Sequence, residues 1–179
     1  LVETRTSKTS VRGGMVPYKR CKWFEQPCKS TTRLGCDSSI RETSKIAHIE
    51  IIEQVIWGLG NIAGDSTYHR DLVIDSGAVA LISDLLDNCK IGTSFCRNAS
   101  WALSNLCRGR PAANSFMIAR AIPSLCKILL QSNSPEVITD ICWALSYFTD
   151  GGPNNIPLIT NNKLLPRIVQ LLEHPHVDI

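Results

Sequence analysis

The chain has 179 residues, of which 44% are hydrophobic and 20% are charged, a composition typical of a soluble globular domain that excludes a fibrous or wholly disordered chain. No stretch approaches the roughly 20 consecutive apolar residues that a membrane-spanning helix needs. The formal net charge of +3 is divided unevenly, since residues 1–46 carry +6 and residues 47–179 carry −3, so the second part suits cationic ligands better than nucleic acid.

Residues 1–46 show no sustained helical or strand period. They are rich in Ser, Thr, Lys and Arg, and Gly13, Gly14, Pro17 and Pro27 interrupt them. Such a composition is typical of disorder, because too little apolar surface is available to offset the entropy of folding. We therefore predict a basic, largely disordered leader over 1–46 and a folded helical domain over 47–179.

From Ala47 onward the pattern predicts long helices separated by glycine-containing breaks, near Gly64–Asp65, at Gly109 and at Asp150–Gly152. A second amphipathic helix follows each break. In the first two of these helices, apolar residues recur at spacings of three and four and are predicted to be buried: Val79, Ile82, Leu85, Leu86, Ile122, Leu125, Ile128 and Leu129. Pro123 and Pro166 fall near predicted helix starts, where a missing N–H costs little.

Three tryptophans mark an internal repeat. Trp57, Trp101 and Trp143 are 44 and 42 residues apart, and each precedes the second leucine of a Leu-Leu pair by 29 residues. A period of roughly 40–47 residues is typical of armadillo and HEAT helical repeats. We predict an all-α solenoid of about three repeats, in which stacking closes the core and one end of the stack exposes apolar surface.

The same repeat carries a Trp-x-x-x-Asn motif, at Trp57 with Asn61 and at Trp101 with Asn105. Side chains at i and i+4 project from one helical face. An asparagine amide has a donor and an acceptor, so it can bind the backbone of an extended peptide, and an indole can hold the stem of a Lys or Arg. The alternative, that each tryptophan is simply a core residue, is weakened by the recurrence.

Carboxylates accompany these motifs. Asp65 lies eight residues after Trp57, two turns along the same face, and Asp140 lies three residues before Trp143. Both are suitably placed to pair with a lysine of a bound peptide. Asp65 could equally be a helix-end residue, and Asp140 a solvated one.

Four segments, 53–65, 70–74, 101–108 and 142–151, resemble consecutive armadillo repeats of importin alpha, and the resemblance covers residues 47–179. It implies a right-handed superhelix whose repeats correspond to the third to fifth of that family. It also implies that the concave surface binds Lys/Arg-rich nuclear localisation signals in extended form, and that the chain works in the cytoplasm and nucleus. The groove positions that the resemblance implies are Gln54, Trp57, Asn61, Asp65, Asn98, Trp101, Asn105, Asp140, Trp143 and Tyr147.

The leader departs from the family, because residues 1–46 do not resemble its second repeat. We therefore expect an incomplete groove, and recruitment of importin beta only if a binding segment exists outside this chain. Neither a nucleic acid nor a membrane is an expected partner. Two rival interpretations stay open: a generic armadillo scaffold for a partner of another composition, and a truncated, inactive importin alpha-like product.

Catalytic and metal-binding signals are weak. No nucleophile, base and orienting residue are recognisable together, so we expect no enzyme. The eight cysteines include no Cys-x-x-Cys pair, and the spacings of Cys21, Cys28 and Cys36 match no common zinc module. Cys107 and Cys126 lie in apolar helical patterns, which favours reduced thiols. We predict no metal and no cofactor.

Overall fold

Three long helices, each followed by two shorter helical segments, make up the fold in a computed structural model that describes residues 37–90, 93–161 and 163–175. No strand occurs within these ranges. The helices in chain order are α1 (Asp37–Asp65), α2 (Thr67–Asp75), α3 (Ala78–Asp87), α4 (Ser94–Cys107), α5 (Ser115–Ile118), α6 (Ile122–Gln131), α7 (Pro135–Asp150), α8 (Ile156–Thr160) and α9 (Leu165–Leu171). Short 3-10 turns at Ala119–Ala121 and Pro153–Asn155 lead into α6 and α8.

The helix ends follow local chemistry. The hydroxyl of Ser66 accepts a hydrogen bond from the backbone N–H of His69 at 3.3 Å and begins α2, and Thr93 does the same for Cys96 at the start of α4. Between α2 and α3, Gly77 has a φ of 85°, a conformation that costs glycine little and other residues more. Each connection can therefore turn within a few residues.

The long helices stack in series, α1 against α4 and α4 against α7. At the first contact the indole of Trp101 lies directly on Gly60 of α1, where an added Cβ would be only 2.4 Å from the Cζ3 atom of Trp101. The absence of a side chain at Gly60 thus sets how closely α4 approaches α1.

The core between the stacked helices is apolar and continuous. Seven of the eight residues predicted to be buried on α3 and α6 are buried, and Leu85 is half-buried. The inner face of α4 adds Ala99, Ala102, Leu103 and Leu106, none of which is measurably exposed. This apolar burial is the main source of stability in a stack of this kind.

Side chains of one repeat complete hydrogen bonds of the preceding one. Lys127 of α6 donates to the carbonyl of Asp87 at the end of α3, at 3.3 Å. Arg167 of α9 donates to the carbonyls of Leu129 and Ser132 at the end of α6, at 3.3 and 3.0 Å. Because the carboxyl end of a helix carries a partial negative charge and unpaired carbonyls, a cation there is favourable.

Arg70 is the largest charged side chain in the interior and is fully buried on α2. Its Nη1 donates to the carbonyls of Arg108 and Pro111 at 2.8 and 2.9 Å, and its Nε donates to Asp71 at 2.8 Å. A buried charge is tolerated only when it is paired and hydrogen-bonded. Arg70 therefore fastens α2 to the loop that follows α4.

The predicted breaks are confirmed, since α1, α4 and α7 end at Asp65, Cys107 and Asp150. The first helix, however, begins at Asp37, ten residues before the predicted boundary at residue 47. Residues 1–36 lie outside the described ranges, so the assignment of a disordered leader stays a prediction. No described helix is long and apolar enough to cross a membrane.

Both outer faces of the described stack expose apolar side chains. Ile51 and Val55 of α1 are exposed, as are Leu165 and Val169 of α9 and the adjacent Leu172. These side chains fit the expectation that one end of the described stack exposes apolar surface.

A matched pair of glycine substitutions tests the contact between α1 and α4. Gly60→Ala should lower the free energy of unfolding by about 1–3 kcal/mol, because the new methyl group collides with the rigid indole of Trp101. Gly58→Ala, where a Cβ meets nothing within 4 Å, should raise it by about 0.5–1 kcal/mol through helix propensity alone. Urea denaturation of the three proteins measures both, and equal effects of the two substitutions would contradict the packing.

Candidate peptide-binding surface

The three tryptophans of the repeat lie on consecutive packed helices, and two of them are open to solvent. Trp57 on α1 is 42% exposed and Trp143 on α7 is 54% exposed. Trp101 on α4 is half-buried, because one edge of its indole covers Gly60. Gly60 lies three residues after Trp57, on the same side of α1. The indole of Trp101 therefore packs on the side of α1 from which Trp57 projects. None of the three tryptophans is sealed away from water.

Trp143 has an aromatic neighbour one turn along α7. Its ring stacks on that of Tyr147, with centroids 5.6 Å apart and planes inclined by 22°. An offset pair of this kind is rigid and presents two π faces in succession. Such a surface can hold the methylene stem of a lysine or the plane of an arginine.

The asparagines are less accessible than the motif suggested. Asn61 and Asn98 are half-buried, whereas Asn105 is only 8% exposed. The Nδ2 of Asn105 donates to the carbonyl of Gly60 at 3.1 Å, and its amide also lies against Gly64. Because the glycines of α1 let α4 approach closely, the amide of Asn105 joins two helices, and its role in a peptide-binding groove stays a prediction.

Carboxylates lie within about two helical turns of the exposed tryptophans in the sequence. Asp65 is exposed at the last position of α1, and its Oδ2 is 2.7 Å from Nδ1 of His69. Asp140 is half-buried on α7, and burial, with a contribution from Glu136, raises the pKa of its carboxyl group to about 7. Gln54 is exposed on α1, three residues before Trp57. A cation beside Asp140 would stabilise its charged form and lower that pKa.

One further pair was missed in the sequence. Arg110 follows α4, and its Nη2 lies 2.8 Å from Oδ2 of Asp150 at the end of α7. Asp150 comes seven residues after Trp143, as Asp65 comes eight after Trp57, so the repeat could have indicated Asp150 but not its partner Arg110. The pair borders an open cavity of about 570 Å³ that Tyr147 also lines.

Three of the five described cysteines are buried. Within the described ranges, no three His, Cys, Asp or Glu side chains are grouped to hold a metal ion. Burial raises the pKa of Cys107 to about 12, so its thiol is uncharged at neutral pH and unreactive as a nucleophile. Cys96 and Cys126 are also buried and free.

Comparison with known proteins identifies the repeat. A family model of the armadillo/beta-catenin-like repeat matches residues 66–108 and 112–150. The chain belongs to the armadillo-repeat proteins. The first matched stretch contains α2, α3 and α4, and the second contains α5, α6 and α7, so each armadillo repeat ends with one of the long helices. The predicted all-α armadillo fold is confirmed.

The armadillo repeats are similar to those of importin alpha, as the sequence motifs indicated. The chain is 43% identical over 131 residues to importin subunit alpha-1b of Oryza sativa and 44% identical over 126 residues to importin subunit alpha-2 of Arabidopsis thaliana. These matches cover 73% and 70% of the chain. The chain spans about a quarter of the length of either relative, 24% and 23%.

A solved structure adds a comparison of shape. A designed armadillo repeat protein in complex with the peptide (KR)4 superimposes with a TM-score of 0.62 at 26% sequence identity. The superposition covers 72% of this chain and 53% of the designed protein.

The raised pKa of Asp140 predicts that the free energy of unfolding depends on pH. Because the folded chain favours the protonated form, this carboxyl group contributes stability that is full below its unfolded pKa of about 4 and is lost as the pH rises through about 7. Asp140→Asn should therefore raise the free energy of unfolding at pH 8 by about 1–2 kcal/mol, after allowance for partial exposure, and at pH 5 by roughly a third to a half of that.

Urea midpoints at the two pH values measure this difference. Asp75→Asn removes one negative charge from an exposed position of α2, so it is the control for the change in net charge. A gain from Asp140→Asn that is as large at pH 5 as at pH 8 would mean that the charge of Asp140 is not the cause.

Proposed function

We propose that this chain binds Lys/Arg-rich nuclear localisation signals of cargo proteins, as part of a nuclear-import adaptor of the importin alpha kind. One observation carries the proposal. Trp57 and Trp143 keep large aromatic faces in solvent on the first and third of three stacked helices, and a carboxylate lies within about two turns of each. This combination suits long cationic side chains better than it suits a hydrophobic partner.

The charge of the domain supports the same ligand class. Residues 47–179 carry a net charge of −3 in a chain that is positive overall. Negative potential over the surface attracts a basic peptide and speeds its association, with a strong dependence on ionic strength. A half-buried Asp140 would also gain a partner on binding, because a cation compensates the charge that burial makes costly.

Similar proteins also support the proposed binding of basic peptides. The curated proteins of similar sequence are importin alpha subunits, and the designed armadillo protein of similar shape holds a peptide made only of Lys and Arg. We extend to this chain an import role in the cytoplasm and nucleus on that basis. Recruitment of importin beta would need a binding segment outside this chain.

Calorimetric titration with the (KR)4 peptide tests the proposal. Trp143→Ala should weaken binding about fivefold to tenfold, because a cation–π contact is worth on the order of 1 kcal/mol. Raising the salt concentration from 50 to 300 mM should weaken binding by the wild-type chain further, since the partners are oppositely charged. Absence of salt-sensitive binding would refute the proposal.

Phe116→Ala provides a matched control. Phe116 is the most exposed aromatic side chain among the described residues, at 85%, and lies on the short helix α5. Its removal deletes a comparable aromatic surface outside the repeated motif, so peptide affinity should change less than twofold. Equal losses from Phe116→Ala and Trp143→Ala would indicate a general effect of lost aromatic surface.

The buried amide of Asn105 favours a second candidate, a generic armadillo scaffold. With the Nδ2 of Asn105 bonded to Gly60, the chain has fewer amides free to bind an extended backbone without regard to its sequence. A scaffold would then depend on side-chain contacts with a partner of another composition. A peptide array distinguishes the two, because the scaffold predicts preference for sequences that are not basic.

A further inference from the structure

An open cavity of about 570 Å³ lies between the loop after α4 and the last turns of α7. Gly109 and Arg110 line one side, and Ser146, Tyr147, Thr149 and Asp150 line the other. The hydroxyl of Thr149 is bonded to the carbonyls of Leu145 and Ser146. The charged group among these α7 residues is the carboxylate of Asp150.

The cavity combines an aromatic side chain with a carboxylate, as Trp57 and Asp65 do on α1. Tyr147 supplies an aromatic wall, continuous with Trp143 through their stacked rings, and Asp150 supplies a carboxylate three residues further along α7. A side chain whose stem lies on the Tyr147 ring can direct its charged end toward Asp150. Asp150 is the last residue of α7, where the helix dipole disfavours a negative charge. A cation beside its carboxylate is therefore favourable.

Such a cation is already present within the chain. The guanidinium of Arg110 lies 2.8 Å from the carboxylate of Asp150, although the two side chains remain 84% and 60% exposed. Ion pairs this exposed to water contribute at most about 1 kcal/mol. Arg110 therefore shows that a guanidinium fits at Asp150, and it is held there too weakly to exclude a competitor.

We propose that this cavity is a further slot for one Lys or Arg side chain of a bound peptide, and that Arg110 is its resident occupant, which the peptide must displace. The proposal rests on the proposed function, since it assumes a basic peptide in extended form. It adds a residue that opposes binding: Arg110 competes with the peptide for Asp150 and raises the threshold of positive charge that a ligand must carry.

The two residues act in opposite directions, which makes the proposal testable with the (KR)4 peptide and isothermal titration calorimetry. Arg110→Gln should tighten binding about threefold, because the competing ion pair is gone. Asp150→Asn should weaken binding about fivefold, because the slot loses its charge. In the Asp150→Asn background, Arg110→Gln should have no further local effect.

The chain offers a matched control for net charge. Arg120 and Asp84 form another exposed ion pair, 3.5 Å apart, on other elements. Arg120→Gln and Asp84→Asn change the net charge by the same amounts, so they report long-range electrostatics alone. Each should change the affinity less than 1.5-fold. Circular dichroism checks that the four single variants and the double variant fold, as expected since neither Arg110 nor Asp150 is buried.

The outcomes separate this slot from the proposed function. If the peptide binds and Trp143→Ala weakens it, but Asp150→Asn behaves like Asp84→Asn, the slot is wrong while the function stands. If Arg110→Gln loosens binding, Arg110 is a contact and not a competitor, and the proposal is overturned. Failure of the wild-type chain to bind at all overturns both.

Discussion

The close approach of α4 to α1 is the constraint on which the rest of the structure depends. Because Gly60 has no side chain, the indole of Trp101 can lie on the backbone of α1, and the amide of Asn105 can reach the carbonyl of Gly60. The same contact covers one edge of the Trp101 indole and buries the Asn105 amide. The packing of α4 on α1 therefore also determines which side chains of α4 face solvent.

Much of the fold could be predicted from the sequence because its signals are local or periodic. Glycine-containing breaks set the ends of α1, α4 and α7, and apolar spacing identified the buried faces of α3 and α6. The repeat of Trp57, Trp101 and Trp143 gave the armadillo architecture, which the family match over 66–108 and 112–150 confirms. The start of α1 at Asp37 was missed, since the sequence before Ala47 lacks a clear period.

The candidate surface was harder to predict because it depends on contacts between repeats. The Trp-x-x-x-Asn spacing places both side chains on one face of a helix, but it does not tell whether the neighbouring helix covers that face. Asn105 is covered, whereas Trp143 is open. The ion pair of Arg110 with Asp150 joins residues 40 positions apart, and no pattern within a single helix could have indicated it.

The cations at the helix ends give the stack a direction. Lys127 completes the carbonyls that close α3, and Arg167 completes those that close α6, so each unit supplies its upstream neighbour with bonds that the neighbour cannot make alone. If the last described unit unfolded first, the carbonyls at the carboxyl end of α6 would lose the cation that Arg167 supplies. Cooperativity should therefore pass backward along the chain, from the later repeats toward the earlier ones.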